Sequence, residues 1–460
     1  MNPEPLGMID AVVAEIGSTT TVVSAFDRLD DAPVFLGQGM APTTAQEGDV
    51  LPGLERAVAS LKENLNAPDL GWRAMYAASS AAGGLSMSVH GLVYEMTARA
   101  AQMAALGAGA VVRSVTAGKM SRDDLEDLRA LAPNMILLAG GTDYGDRETV
   151  LFNARAIAEL GLDIPVLYAG NIQARDAVRR AFERADQPIT LTENVYPQLD
   201  QLNIEPARRE IQKLFETHIV KAPGMARIRE MVDGPILPTP GAVMEALRLL
   251  QPVIGDCIAL DIGGATTDVH SGAQGSEAIA RIQTQPEPFF KRTVEGDLGL
   301  YLNARHMADH MGMESLSQEL AIDAEAELRG WRPIPESPAQ MKLAHRLALE
   351  AGRLAIRRHA GTLRQVFLPE GRKTYAVGKD LSEVTTLIAT GGALTRLPGH
   401  GDILSRLRDM NATGDMLYPA PGKMRVLVDQ GYLMASLGVL SRRHPAAALT
   451  LLRQSLREEG

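Results

Sequence analysis

Short apolar runs separated by small polar turns open the chain. Ile9–Ile16, Thr20–Phe26 and Val34–Met40 have strand length and composition, and they predict a three-stranded meander. Asp49–Asn66 carries Leu54, Val58, Leu61 and Leu65 at helical spacing. "GWRAMYAASSAAGGLSMSVHGL" (Gly71–Leu92) then predicts strand, glycine-rich loop, strand. From Glu95 to Glu193 helix-like and short apolar segments alternate, the signature of a parallel α/β layer, here a doubly wound one. "REIQKLFETHIV" (Arg209–Val220) predicts a helix, and "GPILPTPGAVMEALRLL" (Gly234–Leu250) a turn and a helix with Pro240 near its start.

After residue 255 the opening rhythm returns. "DCIALDI", "TTDVHS" and "AIARIQT" predict a second meander over 256–284. A charge-rich helical region follows from Val294 to His359, broken by "RPIPESP" (Arg332–Pro338). "TTLIATGGALTRL" predicts a strand and a Gly-Gly turn, and "MRVLVDQGYLMASLGVLSRRH" a strand and a helix. The chain thus carries an internal duplication of elements, without a short solenoid period.

Composition narrows the reading. Lys+Arg 46 against Asp+Glu 56 gives 46 − 56 = −10, a poor balance for sequence-independent nucleic-acid binding. One cysteine, Cys257, rules out an intrachain disulfide framework and fits a reducing cytoplasm. No signal-peptide pattern opens the sequence and no apolar run has membrane-spanning length, so a cytoplasmic protein without membrane attachment is expected.

The chemistry concentrates in the turns of the two meanders. "EIGSTTT" holds Glu15, Gly17, Ser18, Thr19, Thr20 and Thr21; "DIGGATTD" holds Asp261, Gly263, Gly264, Thr266, Thr267 and Asp268. In each, an acid near the strand end is followed by glycine, which bares backbone N–H groups, and then by hydroxyls. Such donors suit phosphate oxygens, and carboxylates suit the Mg²⁺ that accompanies a nucleotide triphosphate. A third stretch, "IATGGALTRLP", places Gly391 and Gly392 after a strand, where bare backbone can approach a base or sugar. One such turn alone is ordinary hairpin chemistry. The three in this order are not. "AGGTDYGD" (Ala139–Asp146) is either a second ligand loop or a strand-to-helix turn capped by Asp143 or Asp146, with the cap preferred.

These stretches resemble the two phosphate motifs and the adenosine motif of the actin, sugar kinase and heat-shock chaperone ATPase superfamily. "PTPGAVMEAL" and "QGYLMASLGVL" resemble its two connecting helices. Further likeness, in "AASSAAGGLSMSVHGL", "ILLAGGTDYGD", "YAGN" and "VGKDLSEVTTLIATGGAL", is to the MutL (GlmL) family of glutamate mutase accessory proteins, distinct from the mismatch-repair protein of that name. The resemblance implies an α/β fold of two ribonuclease-H-like (actin-like ATPase) lobes with a doubly wound α/β insertion in the first half. The expected organisation is 1–85 and 216–255 as first lobe, 86–215 as insertion, and 256–460 as second lobe with a helical insertion at about 290–380.

It also implies an ATP-binding, slowly ATP-hydrolysing protein that reactivates an adenosylcobalamin-dependent, glutamate-mutase-type enzyme. Gly17, Ser18, Thr19, Thr20, Gly263, Gly264, Thr266 and Thr267 would hold the phosphates, and Gly391 and Gly392 the adenosine. Glu15 and Asp261 would hold Mg²⁺ mostly through water, and Asp268 or Asp261 would orient the attacking water. The superfamily usually has aspartate where this chain has Glu15, which bears on hydrolysis rate more than on binding. The rival readings are a small-molecule kinase, an ATP-dependent hydantoinase or oxoprolinase-type subunit, an actin-like filament protein, and an iron–sulfur activator of radical dehydratases. The last supplies two cysteines per chain, and this chain has one.

Overall fold

The computed structural model describes residues 7–44, 48–80, 85–219, 224–368 and 371–459. The contact pattern divides the chain into two compact units. One comprises Met1–Thr44, Pro52–Ala78 and Ala242–Gly460; the other comprises Ala45–Leu51 and Ser79–Gly241.

The first unit opens with β1 (Met8–Ile16), β2 (Thr20–Asp27) and β3 (Val34–Pro42), an antiparallel meander. Glu15 lies opposite Val22 and Ile16 opposite Thr21, so only Gly17–Thr19 lie between the two strands. β4 (Gly71–Ser79) borders β1, giving the order β4-β1-β2-β3. β1 and β2 are buried along most of their length, as their nearly continuous Val/Ala/Ile runs require of a sheet covered on both faces. The helix Leu51–Asn64 buries Leu54 and Leu61 of the expected stripe together with Ala57, while Val58 and Leu65 are half-buried.

The second unit is a parallel sheet of β5 (Ser86–Gly91), β6 (Val111–Ala117), β7 (Met135–Leu138), β8 (Val166–Tyr168) and β9 (Ile189–Leu191). Its order, β6-β5-β7-β8-β9, is that of a doubly wound fold with the reversal at β5/β7. Helices Arg99–Gly107, Arg122–Leu131, Glu148–Glu159 and Arg175–Arg184 connect the strands. Ile136, Leu138, Val166, Tyr168, Val178 and Phe182 share one core. The "AGGTDYGD" loop is tied internally. Asp146 accepts the Thr149 N–H in the first turn of its helix, whereas Asp143 accepts from Ile172 N and Asn194 Nδ2. A short strand, β10 (Leu237–Pro238), precedes the helix Thr239–Ile254. Of "SSAAGG", residues 81–84 lie outside the described residues.

The remainder of the first unit holds β11 (Cys257–Ile262), β12 (Thr267–Gly272), β13 (Phe290–Glu295), β14 (Gly361–Leu368), β15 (Gly371–Val377), β16 (Thr386–Thr390), β17 (Met416–Leu417), β18 (Arg425–Asp429) and β19 (Leu456–Glu458). The main sheet runs β13-β12-β11-β16-β18-β19. β11, β12 and β13 are antiparallel neighbours, and β16 and β18 run parallel to β11. A meander followed by parallel strands on the far side of its first strand is the ribonuclease-H-like order expected of each lobe. Within 290–380, helices span Ala304–Met311, Met313–Leu320, Ala324–Arg329 and Pro338–His359, bounded by β13 and by the β14–β15 hairpin. The long helix packs Leu343, Leu347, Ala351 and Ala355 into the core that holds Ile258, Leu260 and Leu387.

One expected strand is absent. "AIARIQT" reads as alternating, but Glu277–Ala280 is a helical turn capped by the Ser276 hydroxyl, which accepts the Ile279 N–H. The third strand of this meander is Phe290–Glu295, whose last two residues, Val294 and Glu295, correct the start expected for the helical region; Lys291, Arg292 and Glu295 hide its strand pattern. Cys257 is a buried free thiol, and burial pushes it up to about 12.

Candidate nucleotide site

The two glycine turns have the same construction. Gly17 N–H donates to Thr20 O at 3.0 Å, and Gly263 N–H donates to Thr266 O at 3.0 Å. Glu15 and Asp261 therefore occupy equivalent places two residues before each closing glycine. A Cβ on Gly17 would sit 2.6 Å from Thr20 O, so the first turn excludes a side chain. The turns also face each other: a Cβ on Gly264 would meet the Thr19 side chain at 3.3 Å. Thr43 N–H donates to Thr19 O at 2.9 Å, and Leu300, Tyr301 and Leu302 N–H groups donate to the carbonyls of Gly263 and Gly264. Carbonyls of both turns are thereby engaged by backbone donors.

The third stretch joins them through sheet register. Asp261 is flanked by Asp268 on β12 and Thr390 on β16. Gly391 follows with φ +83, and a Cβ there would press on the Asp261 carboxylate and come within 2.6 Å of Ile262 N. Gly392 opens the short helix Gly392–Arg396, and a Cβ there would meet nothing within 4 Å. Glu15, Gly17–Thr20, Asp261, Gly263, Gly264, Thr266, Thr267, Asp268 and Gly391 thus gather in one unit.

The acids differ in what holds them. Glu15 is 5% exposed. Its Oε1 accepts from the Tyr432 hydroxyl at 3.0 Å, while its Oε2 has no hydrogen-bond partner among the described residues. Burial raises it to about 7. Asp261 keeps a partly water-facing edge, yet it lies deep in the fold. Burial first, then repulsion from Asp268 and Glu15, raises it to about 8. Asp268 is buried and engaged: Arg292 Nε and Nη2 both donate to Oδ1, at 2.9 and 2.5 Å, and Thr266 Oγ1 donates to Oδ2 at 2.9 Å. Thr267 is turned away from the turn, its hydroxyl donating to Leu298 O at 2.8 Å.

This donor set fits a nucleotide with its cation. Two buried, mutually repelling carboxyls with an orphan oxygen are what a divalent cation relieves, and the N–H and hydroxyl groups of the paired turns suit phosphate. Glu15 and Asp261 would hold the cation. Among the described residues no cluster of three or more His, Cys, Asp or Glu has metal-binding geometry, which leaves these two acids to act with water and phosphate oxygens.

Sequence reading missed four neighbours: Arg292, Arg396, Asp429 and Tyr432. Asp429 is buried and raised by burial, and its carboxylate accepts from Thr390 Oγ1, Leu433 N, Met434 N and Ser455 Oγ. No local pattern marks Arg292, which follows Lys291 in a charged strand, or Arg396, which ends the short helix after Gly392. For Asp429 and Tyr432 the end of β18 before a turn is the signal.

Residues 11–456 match the family model described as MutL protein. The Protein MutL of Clostridium tetanomorphum is 36% identical over 461 residues, covering 97% of this chain and 98% of that protein. The chain belongs to the MutL protein family. Among solved structures, this MutL-family chain is similar to a nucleotide-free acetone carboxylase (13% identity, TM-score 0.42, 94% of this chain and 70% of that one). It is also similar to the Clostridium difficile activator of 2-hydroxyisocaproyl-CoA dehydratase with bound ADPNP (10% identity, TM-score 0.29, 98% and 99%). No helix among the described residues is long and apolar enough to cross a membrane.

Proposed function

We propose that this MutL-family chain binds ATP with Mg²⁺ and hydrolyses it slowly, as a cytoplasmic accessory protein that reactivates an adenosylcobalamin-dependent mutase of the glutamate mutase type. The observation that supports nucleotide binding most is the pair of identically closed turns, Gly17–Thr20 and Gly263–Thr266, facing each other beside Glu15 and Asp261. The client follows from family likeness.

In this reading the N–H groups and hydroxyls of Ser18, Thr19 and Thr20 and the N–H of Gly264 bind the phosphates, while the Gly17 and Gly263 N–H groups close the two turns and the Thr266 hydroxyl holds Asp268, so these three shape the cradle instead of contacting phosphate as the sequence suggests. Gly391 and Gly392 give adenosine a surface without side chains. Bound Mg²⁺ supplies positive charge for the phosphate oxygens. Asp261 orients the attacking water, because its carboxylate accepts no hydrogen bond among the described residues, whereas Asp268 is occupied by Arg292. Positioning and charge stabilisation carry phosphoryl transfer, so small displacements of these groups cost rate.

The test has two arms. ATP turnover is measured with purified protein, with and without Mg²⁺. Capture of the small and large subunits of a glutamate-mutase-type enzyme is compared with ATP, with ADP and without nucleotide. Magnesium-dependent turnover and nucleotide-dependent capture support the proposal. Turnover without nucleotide-dependent capture removes the client, and absence of nucleotide binding removes the whole reading.

A further inference from the structure

A ring of contacts closes around Glu15 from residues distant in sequence. Tyr432 donates its phenol to Glu15 Oε1 at 3.0 Å across 417 residues of chain. The Tyr432 backbone is left-handed, φ +51, a conformation that a bulky residue keeps only when its surroundings enforce it. Asp429 enforces it: its Oδ2 accepts the Leu433 and Met434 N–H groups at 2.8 and 2.9 Å and so fixes the turn that carries Tyr432. Tyr432 N–H itself donates to Asp429 O at 2.9 Å.

The phenol ring is held from its other side. The Arg396 guanidinium lies over it, 5.3 Å from the ring centre. Arg396 Nη2 also donates to Gln38 Oε1 at 3.3 Å, and Gln38 Nε2 donates to Gly431 O at 2.9 Å. Arg396 ends the short helix that begins at Gly392. The contacts therefore run from the Gly391–Arg396 segment, through Arg396 and Tyr432, to Glu15.

We propose that Tyr432 is the positioning residue of Glu15. Its phenol pins Oε1 and leaves the orphan Oε2 aimed at the cation of a bound nucleotide, and Arg396 holds the phenol in place. This rests on the nucleotide reading above. It also gives the extra methylene of Glu15 a purpose, since an aspartate at this place would end one carbon short of the phenol. Tyr432 acts through Glu15, the carboxylate its phenol holds.

The experiment titrates Mg²⁺ into protein with a fluorescent ATP analogue and reads the Mg²⁺ needed for half-maximal binding. A parallel series in EDTA reads metal-free affinity. Wild type, Tyr432→Phe, Glu15→Asp and the double variant form a cycle, with Arg396→Ala, at an exposed position, as a second probe of the same contact chain. Tyr432→Phe raises the Mg²⁺ requirement about tenfold, the order contributed by a hydrogen bond to a charged group, and leaves metal-free affinity unchanged. Arg396→Ala shifts it the same way by less. In the Glu15→Asp background Tyr432→Phe adds nothing, because the contact is already gone. An unchanged Mg²⁺ requirement in Tyr432→Phe, or full additivity in the double variant, overturns the positioning role. Wild-type protein that binds no nucleotide at any Mg²⁺ concentration overturns the nucleotide reading and this inference with it.

Discussion

Arg292 holds Asp268 by two donors on one oxygen, Nε at 2.9 Å and Nη2 at 2.5 Å, and both side chains are buried. A buried arginine that loses its partner is costly, about 3–5 kcal/mol. Asp268→Ala is therefore expected to lower stability by that order, visible as an early denaturant midpoint, and any loss of ATP turnover in it reports folding as well as chemistry. Asp261 offers the cleaner test. Asp261→Asn removes a strained carboxyl, so it keeps or raises the melting temperature, while ATP turnover falls by roughly 10²- to 10⁴-fold. Calorimetric melting and steady-state turnover of the two variants separate the roles.

The adjacent glycines predict opposite outcomes. Gly391 sits at φ +83 with Asp261 and Ile262 N against the place of its missing Cβ. Gly391→Ala is expected to shift Asp261 and weaken ATP binding by tenfold or more. Gly392 has open space there, so Gly392→Ala leaves the fold unchanged and touches affinity only through a bound adenosine. Binding isotherms for the two variants check the contrast.

Glu15 makes stability depend on pH in a defined direction. Its carboxyl ionises near 4.5 unfolded and near 7 in the fold. Between these values the folded state binds the extra proton, so the Glu15 contribution falls as pH rises from about 4.5 to about 7 and is constant above. The buried imidazoles of His270 and His359 act oppositely below about 6.5, since burial holds both well under their usual value. Glu15→Gln isolates the acid. The melting temperature of the variant relative to wild type is expected to rise from pH 5 to pH 7. A difference flat with pH would refute the assignment.

How much of this was legible in the sequence follows from the range of each interaction. The turns at Gly17 and Gly263 are local: glycine, small hydroxyls and flanking strands specify them within eight residues. The doubly wound insertion was legible from apolar runs such as Met135–Leu138 and Val166–Tyr168, buried on both faces. Phe290–Glu295 was not legible, because the partner that makes Arg292 a core residue is Asp268 on another strand. Tyr432 was hidden for the same reason, its meaning lying in a contact with Glu15 that no local pattern encodes.

If the paired turns form one nucleotide site, isothermal titration of ATP into the full chain with Mg²⁺ present gives saturable binding at one site per chain, weakened when Mg²⁺ is withdrawn and weakened again by Gly391→Ala. Folded protein that takes up no ATP at millimolar concentration, or that binds it equally well with Gly391→Ala and without Mg²⁺, would contradict it.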